Sequence, residues 1–410
     1  MKSPRMTPTP TPRRPARGVT LIELMVGLAI GLMATLVITQ VTTIWEGKKR
    51  TTTGGSDAQV NGALALQQLQ RDIQMAGYGS AMKGGAGCQV RSKLGTTVQT
   101  TFRLAPVVIT DGTNGAPDTI RVLLSNAESF SVPMITASNH TRSESSFTLV
   151  DGINIGNRVG DLMMAVPEAN CDMGALTAAS VTASLFNLSA TPAAGASTLD
   201  HATGSTGPWN QDSTGTIFPG TTAADVSYPA GSYLLNLGNL ETTRGVPLYR
   251  DFRVNNQALQ SLTFTARGST TTATSGPPAT TAATASTSTD DLASQIVNLQ
   301  AVYGHDTSTP RDGTADVWNT TEPTTQDGWN RVVAVRIALV ARSTQYEEQE
   351  VTAAHPSDCT ALTAASNYPK WKPDGSTYDC LKVNTLTDYR HYRYRVFELV
   401  VPLRNMIWQT

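Results

Sequence analysis

The sequence predicts an α+β chain in which a long N-terminal helix leads into a body rich in β-strands. Three observations carry that prediction. Residues 19–45 are apolar or small apart from one acid. Residues 58–76 continue with apolar side chains at helical steps. From Cys88 onward, short β-branched runs alternate with Asp-Gly and Pro turn signals.

Between Val19 and Trp45 the single formal charge is Glu23. At about 1.5 Å per residue the run suffices for a hydrocarbon core of roughly 30 Å, and it is too long for the apolar region of a secretory signal. A carboxylate inside such a span costs a few kcal/mol or more and marks a site where the charge has a partner. Ahead of the span, residues 1–18 are rich in Pro, Thr and Arg and form a basic leader that cannot bury apolar surface. The Gly18–Val19 junction lies before the apolar run, so a protease cutting there leaves the hydrophobic helix on the product.

After Trp45 the stretch Thr51–Gly55 is poor helix material, and the helix is expected to fray or bend there. Ser56 or Asp57 then caps a new start. Over residues 58–76, Val60, Leu64, Leu66, Leu69, Ile73 and Met75 recur at steps that predict one buried helical face, ending at Gly77.

Strands are predicted at Pro106–Thr110, Thr119–Leu124, Phe147–Val150, Asp161–Val166, Ser232–Leu237, Thr243–Asp251 and Ala258–Thr265. Residues 186–235 read mostly as loop, and the Thr/Ala/Ser-rich residues 267–290 as a flexible surface loop. Asp291–Tyr303 is a short amphipathic segment. Trp329–Arg342 and Tyr392–Leu403 are strongly apolar strands, the last expected at the centre of a sheet.

Charged residues make up 15% of the 410, against roughly 25% in an average soluble domain, which suits an extracytoplasmic β-rich body. The net charge of −1 conceals an asymmetry. Lys2, Arg5, Arg13, Arg14 and Arg17 all precede Val19, so the rest of the chain is acidic and does not bind nucleic acid through its overall charge. Basic residues on the N-terminal side of the span place the body outside the cytoplasm. That compartment permits disulfides among Cys88, Cys171, Cys359 and Cys380. Of the three pairings, Cys359–Cys380 with Cys88–Cys171 is favoured; the alternative is four buried thiols.

Enzymatic patterns are scarce. His140, His201, His305, His355 and His391 form no HxxxH or HxH pair, and neither a G-x-S-x-G elbow nor a phosphate loop is present, so no catalytic residue, cofactor or metal is expected. Asp306, Asp312, Gly313 and Asp316 share oxygen donors around a Gly turn with a calcium loop, but Pro310 and Arg311 break the spacing and an Asp-Gly turn explains them. Gly27 and Gly31 form a G-x-x-x-G pair that permits close helix approach.

The stretch RG-VTLIELMVGLAIG resembles the class-III leader of type IV pilins and type II secretion pseudopilins, with Val19 where that family usually has Phe. Residues 69–80, 296–318, 329–343 and 392–405 are similar to the PilW-type minor pilins, relatives of the J-type pseudopilins. The resemblance implies a pilin-like fold, with the long helix packed on a mostly antiparallel sheet. The organisation becomes leader 1–18, membrane and assembly helix 19–45, amphipathic continuation 46–78 and extracytoplasmic domain 79–410. It further implies cleavage after Gly18 by a prepilin peptidase, methylation of the Val19 amine, and pairing of Glu23 with the free N-terminus of a neighbouring subunit. Other minor pilins, the major pilin and a PilY-type tip adhesin are the implied partners, first in the inner membrane and then at the pilus tip. A type II secretion pseudopilin and a membrane-tethered adhesive module are the alternatives.

Overall fold

The computed structural model describes residues 18–77, 85–94, 97–123, 133–150, 156–168, 171–174, 177–193, 195–201, 209–210, 217–240, 246–267 and 284–407. The fold is α+β, and the chain divides into two units at Gly54/Gly55. Helical residues run over Leu21–Met75 and so belong to both units.

In the first unit the helix is long and apolar enough to cross a membrane, and its apolar side chains are exposed. Its threonines send their hydroxyls back to the helix's own carbonyls, Thr35 to Leu32, Thr39 to Thr35 and Thr42 to Ile38, at 2.9, 2.6 and 2.8 Å. No hydroxyl of these three is then left unbonded in an apolar medium. Residues 51–55 are helical where the sequence reading expects a bend. Thr52 is satisfied in the same way, by the Lys48 carbonyl at 2.9 Å. With helix already nucleated on either side, weak formers need only propagate it.

In the second unit, helical residues 55–75 bury Ala58, Gly62, Ala65, Leu69, Asp72 and Ile73, with Ala76 just beyond. This corrects the expected apolar face. Leu69 and Ile73 are buried and Leu66 partly so, but Val60, Leu64 and Met75 are exposed on the opposite side. The helix lies so close to the sheet beneath it that only small residues fit at several turns. A Cβ on Gly62 would run into the Phe397 ring. Buried Asp72 is paired with Arg250 at 2.5 Å, and the Asn405 amide donates to the Ala76 carbonyl at 2.7 Å, closing the helix end.

That sheet has four strands, in the order Val317–Asn319, Ile296–His305, Val332–Arg342, Tyr394–Pro402, all antiparallel. Val332–Arg342 is its centre and is covered on both faces. Val335, Ile337 and Leu339 pack with the helix, while Ala338 and Val340 pack with Tyr368, Trp371, Leu381 and Val383. Tyr394–Pro402, expected to be central, is an edge strand: among the described residues it pairs with Val332–Arg342 alone. Its exposed Arg395 and Glu398 are charges of the kind that keep an edge soluble.

A five-stranded antiparallel sheet follows the order Thr284–Ser294, Ala258–Arg267, Val246–Asn255, Thr119–Leu123, Val107–Thr110. Its first strand corrects two expectations. Residues 284–290, read as loop, are strand, because each pairs with the preceding strand despite its Thr/Ser composition. Residues 268–283 lie outside the described residues. Asp291–Tyr303 is not one segment but the end of this strand and most of the next, separated by Gln295 at φ 59°. The Trp329–Arg342 run also divides: Trp329 belongs to the one-turn helix Gln326–Asn330, and the strand begins at Val332.

A six-stranded sheet has the order Thr97–Arg103, Gln89–Leu94, Ala183–Asn187, Asp161–Val166, Tyr233–Asn239, Met134–Ile135. Gln89–Leu94 runs parallel to Ala183–Asn187, and the other neighbours in this sheet are antiparallel. Two short ribbons cover one of its faces: Ser146–Thr148 with Thr198–Asp200, and His140–Thr141 with Val226–Tyr228.

Candidate functional site

The residues with the clearest functional pattern lie at the start of the helix. Gly18 and Val19 precede it and are exposed, and a Cβ on Gly18 would meet nothing within 4 Å. A peptide bond held clear of other groups is the form a protease requires. Thr20 is the last residue before the helix, and Glu23 lies in its first turn. Glu23 Oε2 accepts from the Thr20 backbone N–H and hydroxyl, each at 3.0 Å, and the Glu23 N–H donates to the Thr20 hydroxyl at 3.3 Å. This reciprocal arrangement is a capping box. It was present in the sequence as T-x-x-E and was missed, because the acid drew attention only as a charge in an apolar run.

The box fixes where Glu23 points. The carboxylate folds back toward the N-terminal end of the helix, where the positive end of the helix dipole favours it. Cleavage between Gly18 and Val19 would leave every atom of the box in place and create a new amine one residue ahead of Thr20. Further along, a Cβ on Gly27 or Gly31 would meet nothing within 4 Å. Nothing within the described residues therefore explains two glycines in this helix, and each costs about 1 kcal/mol of helix propensity relative to Ala.

In the second unit the cysteines form Cys88–Cys171 and Cys359–Cys380, with Cα separations of 5.2 and 5.4 Å. The first ties the start of the six-stranded sheet to the segment beyond Val166. The second closes a loop on the far face of the four-stranded sheet. Beside Cys88, Gly87 adopts φ +81° and carries the edge of the buried Trp329 ring where a side chain would stand. Arg103 donates to the Gly87 carbonyl at 2.9 Å and pairs with Glu322 at 2.7 Å.

The Asp306–Asp316 loop is held by its own carboxylates. Asp306 accepts from the Ser308 and Gly313 N–H groups at 3.0 and 2.7 Å. Asp312 accepts from Thr314 N–H at 2.8 Å. Asp316 accepts from the Thr307 N–H and hydroxyl at 2.8 and 3.1 Å, and these bonds hold it below the usual carboxylate range. Arg311 and Arg331 also reach the loop's neighbourhood, Arg331 donating to the Asp306 carbonyl at 3.1 Å. These donors act as backbone caps, and among the described residues no group of three His, Cys, Asp or Glu side chains could hold a metal.

Two buried groups escaped sequence reasoning. Asp118 accepts from the Gly112 and Ala301 N–H groups at 2.8 and 2.7 Å, linking the five-stranded sheet to the four-stranded one. Burial pushes its carboxyl up to about 7, against those two donors. His140 and His201 meet in the core beneath the ribbons, although 61 residues separate them.

Comparison with known families matches both ends of the chain. Residues 13–39 match the prokaryotic N-terminal methylation motif, a span that includes Gly18, Val19, Glu23, Gly27 and Gly31. Residues 256–405 match type IV pilus-assembly protein W, a span that takes in the strand Ala258–Arg267 and the whole four-stranded sheet. No curated protein and no solved structure matches the chain. The two family matches support a type IV pilus-related protein of the pilin class, with an N-terminal helix suited to membrane anchoring.

Proposed function

We propose that this chain is a structural minor pilin, cut by a prepilin peptidase between Gly18 and Val19 and methylated on the new Val19 amine. It then takes part in pilus assembly with other minor pilins and the major pilin, in a complex at the pilus tip that a PilY-type adhesin joins. The observation that carries the reading is the match to the methylation motif over a Gly18–Val19 bond that stands clear of the helix, with Glu23 capped just behind it.

In this reading the helix waits in the inner membrane with the body in the periplasm. Glu23, turned toward the helix start, meets the amine of an adjacent subunit, so that two charges costly in lipid neutralise each other. Gly27 and Gly31 let that neighbour approach closely. The match at residues 256–405 to a family named for type IV pilus assembly favours the pilus over a type II secretion pseudopilus.

The test is the intact mass of the chain recovered from membranes. Wild type is expected to lack residues 1–18 and to carry one added methyl group. Gly18→Leu is expected to retain the leader and to be missing from sheared pili. An uncut wild-type chain, or normal processing of Gly18→Leu, would overturn the proposal.

A further inference from the structure

His140 and His201 lie in a part of the chain that neither family match reaches. Their Nε2 atoms are 3.0 Å apart, and the two residues are 1% and 0% exposed. The rings sit in an aromatic box. Phe147 stacks on His140 at 3.8 Å, Phe218 lies 5.0 Å from each, Phe186 5.3 Å from His201 and Tyr228 6.4 Å from His140. Among the described residues neither Nδ1 atom has a hydrogen-bond partner.

A bond between two Nε2 atoms needs one proton between them, so one ring donates through Nε2 and the other accepts on a bare Nε2. A proton added to the accepting Nε2 would set two N–H groups face to face, and one added to the donor ring's Nδ1 would leave a cation among phenyl rings. Among the described residues no carboxylate faces the pair to offset such a charge. The strands packed around it contribute Phe147, Phe186 and Tyr228, and the segment at 217–218 contributes Phe218. The Tyr228 hydroxyl donates to the Thr182 carbonyl and Ser184 Oγ, at 3.0 and 2.6 Å. The charged groups of these elements are otherwise engaged or turned outward. Arg91 donates to the Thr177, Ala178 and Ser180 carbonyls. Glu144 accepts from Thr141 N–H, and Asp225 caps Thr221 and Thr222. Asp200 is exposed, Arg142 is half-buried beside Gly220, and Asp161 accepts from the Arg158 N–H and the Asn236 and Asn239 amides.

The pair is also placed where it matters mechanically. His140 belongs to one covering ribbon, and His201 directly follows the other, its N–H bonded to the Ser145 carbonyl at 2.8 Å. We infer that His140 and His201 form an acid-sensitive latch: neutral, they hold the two ribbons onto the six-stranded sheet, and protonated, they release the ribbons and uncover Phe147, Phe186, Leu199 and Phe218.

Burial lowers His140 to about 4 and holds His201 well below its ordinary value. An opened segment takes up protons near 6.5 that the closed one refuses, so closure is lost as pH falls below 6.5. Well below 6.5 each histidine contributes up to tenfold per pH unit, so the opening equilibrium rises roughly two-thousandfold between pH 6.5 and 4.5.

The test is hydrogen exchange of the full chain in detergent at pH 7 and pH 4.5, corrected for intrinsic rates. Amides at 134–149, 198–201 and 226–228 should lose protection by up to a few thousandfold, while those of Val332–Arg342 keep theirs. The double variant His140→Phe, His201→Leu should keep ribbon protection at pH 4.5. Should that variant not fold, histidine side-chain NMR of the wild type decides the matter. Two of the five imidazoles should stay neutral down to pH 5. Equal ribbon protection at both pH values, or titration of all five rings near 6.5, would overturn the latch.

Discussion

Substituting Gly87 by alanine probes the joint between the six-stranded sheet and the segment that matches the pilus-assembly family. Two costs combine there. At φ +81° an L-residue pays about 1–2 kcal/mol. The new Cβ would also overlap the Trp329 ring edge and stand 2.7 Å from Met173 Cε, and such overpacking costs about 1–3 kcal/mol. Trp329 is 1% exposed and its ring lies 5.8 Å from that of buried Tyr303, so the indole has little room to retreat. Gly87→Ala should therefore destabilise the second unit by about 2–5 kcal/mol. Guanidinium unfolding followed by far-UV circular dichroism measures this without depending on the tryptophan signal. The same change made in a Trp329→Leu background should cost the backbone part, about 1–2 kcal/mol, with only the flexible Met173 end left to give way, and the difference between backgrounds is the coupling. A neutral Gly87→Ala would refute both terms, and an equal penalty in the two backgrounds would refute the steric one.

Thr20→Val removes the hydroxyl half of the capping box and Glu23→Gln removes the charge while keeping an acceptor. Both should still be processed at Gly18, but Glu23→Gln should enter pili far less well, which quantitative immunoblotting of sheared fibres checks. Asp118 is neutral over more of the acid range when folded than when unfolded, since its folded value is raised to about 7. The folded state thus holds the extra proton, and the stability difference between wild type and Asp118→Asn should fall as pH rises from about 4 to 7, by up to about 1.4 kcal/mol per unit. Parallel unfolding curves across that range show it, and a flat difference would count against the raised value. Cys359→Ser with Cys380→Ser opens a loop of separation 21 and should lower stability by about 3 kcal/mol in oxidised protein, read from the shift in unfolding midpoint.

The parts of the fold legible in the sequence are those where hydropathy and burial coincide. The apolar run from Val19, and the strands at 107–110, 119–123 and 161–166, follow from β-branched or unbroken apolar residues beside turn signals. The buried face of residues 58–76 was not legible, because close packing selected Ala and Gly, which carry no hydropathy signal, while Val60 and Leu64 stand in solvent. Residues 284–290 became a strand through backbone pairing that polar side chains do not announce. The position of Tyr394–Pro402 at an edge is a property of topology, and its Arg395 and Glu398 were the readable hint. At the helix start, the pattern of Gly18, Val19 and Glu23 that matches the methylation motif is readable because it lies within a few adjacent residues. The His140–His201 pair was not, since only tertiary folding brings those residues together.

The Asn405–Ala76 contact has a consequence for the order in which the molecule is made. The helix emerges early, yet the strand that carries Phe397 over Gly62, and the amide that closes the helix end, come more than three hundred residues later. Until that last strand is made, Gly62 lacks the Phe397 ring it packs against, although Val335, Ile337 and Leu339 already stand ready for the helix. Contacts of such long range form slowly and leave apolar surface bare in the meantime. The core around Gly62 is thus completed by a strand made more than three hundred residues after it, and a chain truncated before Tyr394 lacks that strand altogether.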